Sequence, residues 1–396
     1  AGPLPETWII DGKGKLESKP AAKPRRSRSP NGKWLIFTEA EDVPRRQVTL
    51  VESSPRDGLQ PKLQTFDYVK PGDPLPQPHW IIQDKQGMKK HVPDDLHPTP
   101  FTPDGKFDAT WAPDSSEFYF DYNQRGHQLY RIIAANPATA TTRTIVEETA
   151  TTFIDYTKKT WRHWLHESRE LIWMSERDGW CHLYLYDITT GKPKHQITQG
   201  AWPVREVLHV DEQARQIWFL ASGLRTGEDP YHLHLCRIHI DGSGFTQLTE
   251  ADGNHTISFS PQREHFIATW SRADQPPVHE LRRGTDGSLI TTLEKADATA
   301  LLATGWTMPE RLVAKGRDDK TDIHGILIKP SHFDPAKKYP VIEDIYAGPH
   351  SAFTPKTFDR QARMHEIAES GFIVVKLDGM GTNHRGKAFH DVCWKN

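Results

Sequence analysis

The stretch HESRELIWMSERDGWCHLYLYDITTGKPKHQIT, running from His166 to Thr198, holds one repeating unit of the chain. A polar turn, His166-Glu167-Ser168-Arg169, leads into the apolar run Leu171 to Met174. A charged turn, Ser175 to Trp180, then leads into His182-Leu183-Tyr184-Leu185-Tyr186, and a turn at Gly191 leads on to Ile197-Thr198. Short runs of period-two alternation between turns predict antiparallel strands. The unit recurs downstream, where Asp211-Glu212-Gln213-Ala214 precedes Gln216 to Leu220 and Ser260-Pro261-Gln262-Arg263 precedes His265 to Trp270. Its second half recurs too: His232 to Ile240 runs to Gly242 and Leu248-Thr249, and Val278 to Leu281 runs to Gly287 and Leu293. Upstream, Ser29-Pro30-Asn31-Gly32 leads into Lys33 to Phe37, and Ala112-Pro113-Asp114-Ser115 into Glu117 to Phe120. Between His166, Asp211 and Ser260 the spacing falls in the ~40–50 residue range of propeller blades. Such units bury their faces only against their neighbours, so the series predicts a β-propeller, with a flat sandwich as the weaker rival. Upstream the spacing is irregular, and a long insertion around Pro71 to His97 is expected to account for it.

Near residue 300 the pattern changes. Arg311 to Pro330 reads as a hairpin, and Tyr339 to Ile345 as a buried parallel strand. Asp359 to Ser370 places Ala362, Met364, Ile367 and Ala368 at helical spacing, with Gly371 as C-cap. Phe372 to Leu377 reads as a further buried strand, ending at Asp378-Gly379. Strand, helix, strand is the opening of a doubly wound α/β sheet. The expected organisation is therefore a β-propeller over residues 1–303 and the first part of an α/β domain over 304–396.

With 396 residues the chain has room for two domains. Only 36% of residues are hydrophobic, yet 13 Trp, 16 Phe and 10 Tyr weight the core toward aromatics and argue against disorder. A net charge of -2 gives no global field for nucleic acid or an anionic membrane. The one dense basic run, Lys23-Pro24-Arg25-Arg26-Ser27-Arg28, reads as a solvated loop. Cys181, Cys236 and Cys393 are odd in number and far apart, so neither a disulfide framework nor a CxxC site is implied. No signal-like leader and no apolar run near the ~18 residues of a membrane span is present. Opening on Ala1 without Met and closing on Trp394-Lys395-Asn396, the chain reads as cut at both ends.

Two local motifs sharpen the reading. Asp344-Ile345-Tyr346-Ala347-Gly348-Pro349 resembles the strand-end motif of dipeptidyl peptidase IV-like enzymes of the prolyl oligopeptidase family. Asp378-Gly379-Met380-Gly381-Thr382, followed by Arg385-Gly386, resembles the next strand-end loop of the same domain. Ser29 to Gly32, Val43-Pro44 and Tyr68 to Asp73 follow that family's order upstream, so the resemblance covers about residues 29 to 396. It implies a propeller followed by an α/β-hydrolase domain, and a serine exopeptidase that releases dipeptides, often after Pro or Ala, by Ser-His-Asp chemistry. It also implies a peptide substrate, no cofactor or metal, a homodimer at full length and a periplasmic or secreted location. Tyr346 matches the family's oxyanion-hole tyrosine, and a phenol at the end of a sheet strand suits that task.

Departures from the family's pattern accompany the match. No G-x-S-x-G elbow occurs in the chain, and since in this fold the nucleophile sits in that elbow and the acid and base follow it, all three are expected beyond Asn396, leaving this chain inactive alone. The family's paired glutamates for the substrate amine are expected shortly before Ser29, where Glu17, Ser18 and Lys19 stand instead. Glu147-Glu148 reads as the end of a blade strand. A binding scaffold without catalysis and an esterase of the same architecture remain alternatives. His232, His234 and Cys236 alternate along one strand with His239 nearby, a spacing that suits zinc but lacks a partner pair. Trp161, His163, Trp164 and His166 read as blade packing, and Ser175 to Trp180 as a hairpin turn holding its own ion pair. Asp378 and Arg385 read as structural, and Gly379 and Gly381 as turn residues rather than a phosphate loop.

Overall fold

The computed structural model describes residues 8–10, 16–18, 26–103 and 105–395. Lys19 and Lys23 to Arg25, invoked above, lie outside the described residues, as do Ala1 and Asn396. Trp8–Ile10 and Leu16–Ser18 form a small antiparallel pair. The described chain divides into two compact units. One comprises residues up to Lys158 with His166–Glu170 and Tyr186–Lys192; the other comprises Lys159–Leu165, Leu171–Leu185 and the chain from Pro193 onward.

Among the described residues, five four-stranded antiparallel sheets follow one another along the chain, in the manner of propeller blades. In the first, Ser27–Arg28, Leu35–Ala40, Pro78–Gln83 and Lys89–His91 lie side by side. The next four are meanders over 109–149, 162–196, 204–247 and 254–295. In every sheet the first turn holds a residue at positive φ just before the second strand: Gly32 at 69°, Ser115 at 64°, Arg169 at 53°, Arg215 at 50° and Arg263 at 58°. That shared left-handed turn is the repeat seen in the sequence, expressed in the backbone. The third turn explains its glycines. A Cβ on Gly191 would stand 2.5 Å from the Thr144 carbonyl, and one on Gly287 would stand 2.2 Å from that of Leu248. Each glycine lets a turn settle on the last strand of the preceding sheet.

The irregular spacing upstream has a different cause from the one expected. Residues 71–97 are not an insertion, because Pro78–Gln83 and Lys89–His91 are the third and fourth strands of the first sheet. The inserted element is a separate hairpin, Gln47–Glu52 with Lys62–Asp67, placed between the second and third strands. Its strands carry Val48, Leu50, Val51, Leu63 and Phe66 yet are largely exposed, and nothing in them repeats the turn that marks the blades.

Each unit has its own core. Trp80, Phe107, Phe118, Phe120 and Tyr122 fill one, with Trp80 ring centroids 5.2–5.8 Å from the three phenylalanines. Leu165, Ile172, Leu183, Ile217, Phe219 and Ile238 form a core in the other. The aromatic weighting of the composition is thus spent inside the sheets.

In the second unit, Glu310–Lys315 and Asp322–Ile328 form the expected hairpin. Asp322–Ile328 also pairs antiparallel with Ile373–Leu377, which pairs in parallel with Val341–Glu343. The helix Ala362–Glu369 connects the parallel pair and buries Met364, His365 and Ala368, with Ile367 packed beside them. Ala362, expected on that face, is exposed. Gly371 at φ 97° ends the helix as predicted. One correction concerns burial. Val341–Glu343 is a three-residue edge strand with Val341 62% exposed, so the 339–345 run is parallel but not buried. In Ile373–Leu377 only Val374 is fully buried.

Candidate functional site

The site is built on the loops that follow the two parallel strands, both within the second unit. Tyr346 stands in the loop after Val341–Glu343, 56% exposed, and its phenol bonds to no described residue. Its ring lies edge-on to His350 and Phe353, at centroid distances of 5.6 and 4.6 Å. Exposed loops usually wander; this one is fixed at closely spaced points. Asp344 N–H donates to Val375 O at 2.9 Å, and Lys376 Nζ donates to Asp344 at 3.0 Å. His390 Nε2 donates to Pro349 O at 2.6 Å, and Asn383 N–H donates to Ser351 O at 3.2 Å.

The strongest anchor is Asp378, which is 0% exposed. Its carboxylate accepts the N–H of Phe353 at 2.6 Å and that of Thr354 at 3.0 Å. Lys356 Nζ stands 3.8 Å from it, donates to Asp229 at 2.9 Å, and lies 4.3 Å from the centre of the Tyr231 ring. Burial pushes the Asp229 carboxyl up, but the Lys356 ammonium outweighs it and the net shift is downward. Burial and the nearby Asp378 charge raise the Tyr231 phenol well above its usual range, so it stays protonated.

Behind His390 lies a second anchor. With Nε2–H committed to Pro349, Nδ1 is the acceptor, and Lys159 Nζ stands 3.4 Å from it. Lys159 in turn donates to Glu176 at 2.6 Å, both side chains being over 90% buried. The turn 175–180 was expected to hold an internal ion pair; Glu176 instead reaches across to Lys159. Lys387 N–H also donates to the carbonyl of Gly179 at 2.8 Å, so this turn abuts the segment that positions the loop. Nothing in the sequence pairs Lys159 with Glu176 or His390, which lie far apart along the chain.

Other candidates separate rather than converge. His232 Nδ1 lies 3.2 Å from Asp252, while His234 Nε2 lies 2.9 Å from Glu228. The buried Cys236 thiol points to the His234 carbonyl, and burial raises its pKa. Among the described residues, no group of three or more His, Cys, Asp or Glu is arranged to hold a metal. His163 stacks on Trp161 and bonds Glu212 at 2.8 Å, and Glu147 pairs with Arg131 on a strand. Arg385 donates to the Asp322 carbonyl at 2.6 Å and lies over the Phe389 ring. Among the described residues, no helix is long and apolar enough to cross a membrane.

The family model described as "Dipeptidyl peptidase IV (DPP IV) N-terminal region" matches residues 28–277. The protein named "Probable dipeptidyl-aminopeptidase B" of Aspergillus oryzae is 28% identical over 213 residues, covering 53% of this chain and 23% of that protein. Its namesake in Tuber melanosporum is 24% identical over 393 residues, covering 91% of this chain and 42% of that protein. The crystal structure of Porphyromonas gingivalis dipeptidyl peptidase 4 superposes with a TM-score of 0.73 at 22% identity, over 97% of this chain and 52% of that one. At that identity the superposition speaks for the fold. The chain thus spans about half of the solved relative, and less than half of the two curated ones.

Proposed function

The chain belongs to the dipeptidyl peptidase IV-like branch of the prolyl oligopeptidase family, and on that premise we propose that it is part of a serine-type exopeptidase. In this reading residues 1–303 form the propeller that admits the peptide, and 304–396 open the α/β-hydrolase domain. Tyr346 supplies one oxyanion donor. The observation that carries the reading is the placement of its phenol, exposed and unspent on a loop otherwise held by buried anchors. An oxyanion donor must be fixed before charge develops on the scissile carbonyl oxygen, since reorganising it during the reaction would cost part of the stabilisation. A neutral phenol suits this role because it offers one O–H and carries no charge to be neutralised by a ground-state partner.

The nucleophile, acid and base of the Ser-His-Asp acyl transfer are assigned to the full-length enzyme, outside these 396 residues. Labelling of the purified chain with a fluorescent fluorophosphonate, alongside turnover of a Gly-Pro-anilide, tests this. Neither labelling nor turnover is expected. Stoichiometric labelling abolished by heat denaturation would place an activated serine in this chain and overturn the assignment. In the longer protein the anilide is expected to be cleaved, and failure to cleave any dipeptidyl anilide would overturn the peptidase reading itself.

A further inference from the structure

One edge of the fourth sheet carries a cation that no acid answers. Arg205 is the second residue of the strand Val204–Asp211, Ser222 ends Gln216–Ser222, and Tyr231 stands just before Leu233–His239. In an antiparallel meander the start of one strand, the end of the next and the start of the third share an edge, so these residues are brought together. Arg205 Nη1 donates to Ser222 Oγ at 3.2 Å, its one hydrogen bond among the described residues. No carboxylate among those residues pairs with it, although a guanidinium has five N–H donors to place. Burial lowers the Arg205 pKa to about 10, and only weak acids, the Tyr231 phenol and the Cys181 thiol, act in the opposite direction. The residue nonetheless keeps solvent-accessible surface.

A second group points the same way. Tyr231 is 3% exposed, and its hydroxyl meets no hydrogen-bond partner at full geometry among the described residues, the Thr382 hydroxyl offering at most a loose contact. The nearby Thr382 hydroxyl donates to the Gly379 carbonyl at 2.8 Å. Buried donors are ordinarily satisfied, and an uncompensated buried charge lowers stability. Two such groups beside one another are better explained by a ligand than by packing.

We propose that Arg205, Ser222 and Tyr231 form a binding site for a carboxylate carried by a peptide, at its C-terminus or on an acidic side chain. The planar guanidinium fork matches the two oxygens of a carboxylate, and the two hydroxyls fit its remaining lone pairs. That the carboxylate belongs to a peptide rests on the peptidase reading; the anion site does not.

Calorimetric titration separates these claims. The probes are acetate, N-acetyl-Ala-Ala-Ala, its C-terminal amide, and N-acetyl-Ala-Asp-Ala-amide, each with the wild-type chain, Arg205→Met and Arg205→Lys. One of the two anionic peptides is expected to bind about tenfold or more tightly than the neutral amide, the scale of a charge-assisted hydrogen bond. Which of them wins identifies the source of the carboxylate. Arg205→Met should erase the difference, and Arg205→Lys, which keeps charge without the fork, should retain part of it. Acetate binding without discrimination among the peptides would sink the peptide claim alone. Displacement of acetate by equal chloride, or unchanged binding by Arg205→Met, would overturn the site. Because no ion pair is lost, Arg205→Met should melt at or above the wild-type temperature; a fall of several degrees would make Arg205 a structural residue and overturn the proposal as well.

Discussion

Replacing Asp378 by Ala removes the acceptor from which the Tyr346 loop hangs. Two N–H groups, of Phe353 and Thr354, lose a buried carboxylate at 2.6 and 3.0 Å, and Lys356 loses the second of its two acidic neighbours. Hydrogen bonds to a charged acceptor are worth about 1.5–3 kcal/mol each, and water entering the vacated space recovers some of that. Because Lys356 keeps Asp229, no bare cation is left. A loss of about 3–4 kcal/mol is expected, nearer the lower end of the range for breaking a buried charged contact. At about 2–4 °C per kcal/mol for domains of this size, scanning calorimetry should show a transition lower by roughly 6–16 °C. Hydrogen exchange at Phe353 and Thr354 should quicken most. Asp378→Asn keeps one oxygen acceptor and turns the other into a donor facing an N–H, so it should lose at least half as much. A melting temperature for Asp378→Ala within about 2 °C of wild type, with unchanged exchange, would refute the anchoring argument.

Tyr346→Phe should leave melting unchanged, because the hydroxyl is exposed and bonds to no described residue, while lowering kcat of the full-length enzyme by about 10²–10³-fold; a loss confined to KM would count against the oxyanion role. Lys159→Met strands the buried Glu176 and should destabilise by about 3–5 kcal/mol, whereas Lys159→Met with Glu176→Leu should recover most of it; equal losses in a denaturant titration of the single and double variants would contradict this. Burial holds His232 near a pKa of about 4 and His255 near about 3, so both are neutral in the fold. The unfolded chain takes up these protons below about 6.5, so stability is full above that pH and falls as pH drops, by about 2 kcal/mol per histidine at pH 5. His255→Gln should flatten the curve between pH 7 and 5, and an equally steep curve would exclude His255 as a source.

The repeat was legible because a propeller-like sheet needs the same backbone turn each time, and a turn at positive φ selects from a small set of residues. Ser29 to Gly32 and Ser260 to Arg263 could therefore be matched despite unlike strands. The hairpin 47–67 escaped because it belongs to no blade, and Pro71-Gly72 looked like the more natural interruption. Val341–Glu343 was misjudged for a different reason. An apolar run in a parallel pair implies burial only when both faces and both edges are covered, and Val341 lies on an edge strand. Tyr346 is proposed from its motif, whereas Lys159, Glu176 and His390 meet through tertiary folding alone. Arg205 was equally silent, since an arginine in a strand looks ordinary until its missing partner is seen.

The anchoring of the loop also bears on how the proposed donor, Tyr346, can be exposed and fixed at once. Apolar packing could not hold Tyr346, because a ring buried deeply enough to be immobile could not reach a substrate. Here the fixing groups sit on the flanks. Asp378, Lys376 and His390 grip backbone atoms or the carboxylate of residues on either side, and each grips from a strand end or short helix that is itself held. His390 is aligned by Lys159, and Lys159 by Glu176 on an adjoining sheet turn. Loosening Glu176 should therefore reach Tyr346 through three polar contacts without altering its immediate surroundings. In the full-length enzyme Glu176→Gln, which keeps an acceptor but not the charge, should reduce kcat more than it raises KM. Asp344→Asn, acting on the opposite flank, should add to that loss independently. If the two effects prove fully non-additive, the flanks do not act separately and the loop is held as one cooperative block.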